Sequence, residues 1–166
     1  MENIVLIGMP GAGKSTVGVI LAKVLGMNFI DSDLLIQERE GSLLKDIIKR
    51  EGLERYIDIE NQVNKDISVE NTVIATGGSV VYCSEAMEYF RDTAKVVYIK
   101  LSYDTISKRL GNIRKRGVVL REGQTLLDLY RERIPLYEKY AHLTIDSEGL
   151  GMEELMERIC IAVKGR

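Results

Sequence analysis

Lys14, Ser15, Asp31 and Asp33 are the residues whose types and spacing could do chemistry together. Lys14 and Ser15 close the run Gly8-Met9-Pro10-Gly11-Ala12-Gly13-Lys14-Ser15-Thr16, which fits G-x-x-x-x-G-K-[ST]. In such a loop the backbone N–H groups of a glycine-rich turn point at an anion, and the helix that follows adds partial positive charge. Lys14 would reach the β- and γ-phosphates of a nucleoside triphosphate, and the Ser15 hydroxyl would ligate Mg²⁺. Gly11, Ala12, Gly13 and Thr16 complete the nucleotide cradle. Asp31 and Asp33 stand two apart at the end of the apolar run Asn28-Phe29-Ile30, where an extended segment would aim both to one side. One carboxylate would hold Mg²⁺ through a water. The other would accept a hydrogen bond, or the proton, from a substrate hydroxyl. Phosphoryl transfer asks a protein for little beyond positioning and charge neutralisation. The competing reading makes Asp31-Ser32-Asp33 a helix-capping cluster and nothing more.

Three further groups could join this chemistry. Gly77 and Gly78 follow the apolar run Thr72-Val73-Ile74-Ala75-Thr76, and a backbone without side chains there could approach a ligand closely. An ordinary turn with positive φ is the other reading. Asn112-Ile113-Arg114-Lys115-Arg116-Gly117 is basic and flanked by glycine. A loop of this kind could close over ATP and steady the transferring phosphoryl group. Arg116 or Arg114 would serve, and the pattern does not choose between them. Arg131 and Arg133 diverge by about 200° on a helix, so only one of them can face a site. His142, the only histidine, reads as structural.

The elements that must position these groups follow from hydrophobic periodicity. Residues 3–7, 28–31, 72–76, 96–101 and 143–146 read as short buried strands. Helical spacing covers 16–25, with Gly26 as its stop, then 34–39, a stretch capped by Ser42, and 53–69. It continues over 84–91, 105–110, 125–140 with a start, kink or break near Pro135, and 152–163. Strands alternating with helices argue for a parallel sheet covered on both faces. At 166 residues the chain suits one domain over 1–166. Twenty-three Lys plus Arg against 25 Asp plus Glu leave a net charge of −2, which gives no footprint for nucleic acid or a membrane surface. No apolar run approaches the roughly 20 residues of a membrane span. Neither a signal peptide nor a disulfide framework is expected, Cys83 and Cys160 being reduced thiols. The expectation is a cytoplasmic protein acting on a small molecule.

Together these pieces resemble the shikimate kinase family nearly end to end. The matching parts are the loop Gly8–Thr16, Asp31-Ser32-Asp33 and Gly77-Gly78. Arg109 and Arg116 match the spacing of that family's adenine-side and lid arginines, and Arg133-Ile134-Pro135-Leu136-Tyr137 resembles its R-x-P-x-Y segment. The resemblance implies a three-layer α-β-α P-loop kinase fold with a five-stranded parallel sheet, order 2-3-1-4-5. Substrate-binding helices would lie at about 33–69 and a mobile lid at about 111–123. Apart from that resemblance, a monomer is expected. The resemblance implies transfer of the ATP γ-phosphate to the 3-hydroxyl of shikimate, with ATP and Mg²⁺, in aromatic amino-acid biosynthesis. By the same resemblance Lys14, Asp33 and Arg116 are catalytic, and Arg109 attends the nucleotide. Ser15 and Asp31 belong to the metal, and Asp33, Gly77, Gly78 and Arg133 to the substrate.

Three positions depart from that family's pattern. Ile57, a substrate-side position, stands where the family carries a carboxylate-binding arginine, and Glu60 keeps its place without that partner. Gly77-Gly78-Ser79 replaces a triple glycine, and Arg116-Gly117-Val118 replaces R-P-L. Losing one partner of a buried charged pair costs about 2–5 kcal/mol. The departures point to the same chemistry on a less acidic small alcohol as the alternative. A non-catalytic nucleotide-sensing domain and a nucleoside monophosphate kinase are more distant readings.

Overall fold

Short runs rich in β-branched residues form five strands in the computed structural model, which describes residues 1–111, 118 and 120–165. They are β1 (Asn3–Ile7), β2 (Asn28–Asp31), β3 (Thr72–Ala75), β4 (Ala94–Lys100) and β5 (Leu143–Asp146). All pair in parallel, in the expected order β2-β3-β1-β4-β5. Val5 sits at the centre, between Ile74 and Val96. Ile4 through Ile7 are all buried, although successive strand side chains point to opposite faces. Both faces of the sheet are therefore covered, which is why these strands read as continuous apolar runs.

The helices are α1 (Lys14–Leu25), α2 (Ser32–Glu40), α3 (Leu44–Glu51), α4 (Leu53–Lys65), α5 (Ser84–Thr93), α6 (Tyr103–Leu110), α7 (Leu126–Tyr140) and α8 (Met152–Lys164). Helix α1 packs with α8 and α5 with α7, each pair against strands, giving three layers. The main core lies on the sheet. A second, smaller core of Ile36, Ile47, Tyr56, Ile59 and Val63 sits among α2, α3 and α4. Each such buried side chain contributes roughly 1.5–3 kcal/mol.

Several boundaries differ from expectation, each for a local reason. Helix α4 stops at Lys65 rather than running to Val69; Asp66 ends it and accepts hydrogen bonds from Arg39 and Gln62. Ser42 does not cap α3. Leu43 holds that position, Gln37 Oε1 accepts from the Leu44 N–H at 3.2 Å, and the Ser42 hydroxyl accepts from Arg50 instead. Helix α7 includes Pro135 and neither starts nor ends there. The carbonyl that the proline leaves without its usual donor is that of Arg131, an exposed residue that water can serve. Thr125 and Asp128 cap α7 reciprocally, and Gly26, at φ 70°, stops α1 as expected. Most of the expected lid, with Arg114 and Arg116, lies outside the described residues. Among the described residues no helix is long and apolar enough to cross a membrane.

Candidate active site

The turn from β1 into α1 builds the phosphate end of the site. Gly11 and Gly13 take φ of 82° and 89°, which side-chain-bearing residues rarely adopt. Lys14 opens α1 and folds back along the loop, its Nζ donating to the carbonyls of Gly8 at 2.7 Å and Met9 at 2.9 Å. Burial lowers its pKa to about 8, against the opposing pull of the Asp33 charge. Arg109, near the end of α6, donates from Nη1 to the Gly11 carbonyl at 3.2 Å, on the nucleotide side of the cleft.

The C-terminal end of β2 supplies the first carboxylate. Asp31 Oδ1 accepts the backbone N–H of Asp33 at 2.9 Å and caps α2, while Oδ2 accepts the Ser15 hydroxyl at 2.7 Å. Capping and site chemistry are therefore not rivals at Asp31, because its two oxygens divide them. Together with the Ser15 hydroxyl these hard oxygens suit Mg²⁺, an ion that keeps several waters and takes phosphate oxygens for its remaining ligands. Asp33 corrects the expectation of an extended pair, since it lies in the first turn of α2. Its Oδ1 is buried with no hydrogen-bond partner. Burial, then the Asp31 charge, pushes its carboxyl up to about 6, with Lys14 pulling the other way.

A cleft of about 590 Å³ runs from Gly11 and Lys14 past Asp33, Gly77 and Gly78 to Arg133, a size typical of small-molecule sites. Neither Gly77 nor Gly78 has positive φ, so the reading as a positive-φ turn falls, and the close approach the structure shows at both is to protein groups. A Cβ on Gly77 would come within 2.5 Å of Asp33 Oδ1, and one on Gly78 within 2.6 Å of Pro10 Cδ and 2.8 Å of Arg133 Nη1. Of the two α7 arginines Arg133 faces the site, only 1% exposed, while Arg131 points to solvent.

Ile57 does not line this cleft. It packs half-buried on the second core, so the structure does not bring it to the substrate side where the sequence reading placed it. Glu60 is fully buried and accepts the Ser79 hydroxyl at 2.6 Å, while its Oε2 has no partner. Burial pushes this carboxyl up to about 8 even against the Ser79 hydrogen bond, which favours its protonated form. The hydroxyl of Ser79, one of the departures noted above, thus stands beside the carboxyl that lost its guanidinium.

Tyr82 is the site neighbour that sequence reasoning missed. It ends the 3₁₀ turn Gly78–Tyr82 and lies under the Arg133 guanidinium. No motif announces it, and its one signal is its place four residues after Gly78. His142 is structural as read: its Nδ1 accepts the Val96 N–H at 2.9 Å. Cys83 and Cys160 are free thiols.

With this geometry in place, similarity to known proteins is informative. A family model described as shikimate kinase matches residues 10–164. The shikimate kinase of Thermodesulfovibrio yellowstonii is 38% identical over 96% of this chain and 93% of its own length. That of Moorella thermoacetica is 37% identical over 98% and 94%. Among solved structures, shikimate kinase from Acinetobacter baumannii in complex with shikimate superposes with a TM-score of 0.91 at 32% identity, covering 99% of this chain and 94% of that one.

Proposed function

The chain belongs to the shikimate kinase family, and from that premise we propose that it transfers the γ-phosphoryl group of ATP to a hydroxyl of shikimate. The observation that carries this reading is Asp33. Its carboxylate lies in the cleft between the phosphate loop and Arg133, with one buried oxygen unpartnered. An acceptor hydroxyl placed there donates its proton to Asp33 as its oxygen bonds to the γ-phosphorus. The bond from that phosphorus to the bridging oxygen breaks, and ADP leaves. Lys14 neutralises the phosphate oxygens from the loop side, and Arg133 holds the acceptor's carboxylate. Mg²⁺, when bound, would supply further charge neutralisation, with Ser15 and Asp31 holding it. Arg116, expected to reach the phosphates, completes the proposal from outside the described residues. The same reading makes the chain a single kinase domain over 1–166, a monomer acting in the cytoplasm.

The test is ATP turnover with and without shikimate, with Asp33→Asn as control. Shikimate-dependent turnover that falls by about 10²–10⁴ in the variant is expected. Turnover that shikimate leaves at background overturns the acceptor. One observation favours a second reading, the same transfer to a less acidic alcohol: Arg133 is the one cation at the acceptor end among the described lining residues. An uncharged cyclic polyol that outcompetes shikimate in the same assay would select it.

A further inference from the structure

Anion binding at the acceptor end rests on Arg133. The other described lining cations, Lys14 and Arg109, attend the phosphate loop. A lone guanidinium binds well only if it is already aimed, because an arginine that must be ordered by its ligand gives up rotamer freedom on binding. The structure holds Arg133 by a chain of contacts that the kinase reading leaves unexplained. Its Cζ lies 5.2 Å from the centroid of the Tyr82 ring, and its Nε donates to the Tyr82 hydroxyl oxygen at 3.4 Å. That hydroxyl has one proton to give and gives it to Glu132 Oε2 at 2.5 Å. Its lone pairs are therefore turned towards Arg133.

Glu132 is held in turn. Arg121 Nη1 reaches both of its oxygens, at 3.1 and 3.2 Å, and Gln124 Nε2 reaches Oε2 at 3.2 Å. The Arg121 guanidinium also lies over the Tyr82 ring, 5.5 Å from its centroid. The exposed Arg121–Glu132 pair would contribute little as a surface salt bridge. As the outer brace of a half-buried tyrosine it has a specific use.

We propose that Tyr82 is a positioning residue which fixes the stance of Arg133 for the anionic group of the acceptor, with Glu132 and Arg121 locking the tyrosine. The identity of that acceptor rests on the proposed function; the bracing does not. Two variants separate the contributions. Tyr82→Phe keeps the ring and removes the hydroxyl, and Tyr82→Leu removes both. The KM for shikimate should rise about 5- to 10-fold in Tyr82→Phe and further in Tyr82→Leu, with the KM for ATP within about twofold of the parent. A partial loss of folding would instead lower the active fraction, and so the apparent kcat, with both KM values unchanged. Nitrogen-15 NMR of the Arg133 Nε–H supplies a readout without substrate. Slow exchange with water in the parent and fast exchange in Tyr82→Phe is the expected result. An Nε–H signal unchanged in both variants, or KM values for ATP and acceptor rising in step, overturns the proposal. A parent protein with a protected Nε–H but no shikimate turnover supports the bracing and overturns the acceptor.

Discussion

Asp33 can take a proton only as the carboxylate, and with its pKa pushed up to about 6 it imposes an acid limb on catalysis. The kcat/KM for the acceptor should fall about tenfold per pH unit below pH 6. It should fall again above about 8 as Lys14 loses its charge. Asp33→Asn has no carboxyl to titrate and should lose that limb, so an acid limb unchanged in the residual activity of Asp33→Asn would argue against this proton acceptor. Glu60 makes a different prediction, about stability. Its pKa is about 8 in the folded chain against an ordinary 4.5, so between those values the folded state holds a proton that the unfolded state has released. Stability is therefore lost as pH rises through this window. Glu60→Gln does not titrate and should escape much of that loss, a difference of a few kcal/mol, read by urea unfolding at pH 5 and pH 8.5. Lys14, Ser15 and Asp31 were legible in the sequence because a motif fixes them by local spacing. The protonation of Glu60 and the brace under Arg133 were not. They arise from pairs such as Glu60–Ser79 and Tyr82–Glu132 that only folding brings together.

At the scale of elements, the 3₁₀ turn Gly78–Tyr82 brings glycine backbone against Pro10 and Arg133 while delivering Tyr82 beneath the same guanidinium. Gly78, and Gly77 just before the turn, are needed for space and not for backbone conformation. Gly78→Ala should thus crowd both Pro10 and Arg133 at 2.6–2.8 Å, costing about 1–3 kcal/mol of stability and raising the acceptor KM by about tenfold or more. Steady-state kinetics with both substrates varied would check it, an unchanged acceptor KM being the contrary outcome. The types of the strands and α-helices were readable, because periodicity is strong in both, whereas the 3₁₀ turn Gly78–Tyr82 was not. Their ends were less so. The stop of α4 at Asp66 depends on Arg39 from another helix, and the start of α3 on Gln37, neither visible in a local window.

For the whole molecule, the alternation of strand and helix made the parallel three-layer architecture legible, whereas the strand order came only through family resemblance. A fold whose phosphate loop is preorganised should gain stability on loading. ATP at 100 times its Kd adds about 2.7 kcal/mol, raising Tm by roughly 5–11 °C for a chain of this length. Lys14→Met should lose most of that rise in a thermal melt. The second core has a consequence of its own. Helices α2, α3 and α4 bury Ile36, Ile47 and Tyr56 chiefly on one another, with Leu35 touching both cores. They form a cassette clipped onto a fixed engine. Ile57 could lose an arginine's charge by turning into that cassette's own oil, with no strand of the sheet having to shift. Retooling this scaffold for a different alcohol is then a matter of rewriting residues 34–65 and the surroundings of Arg133, with Asp33 and the phosphate end left untouched.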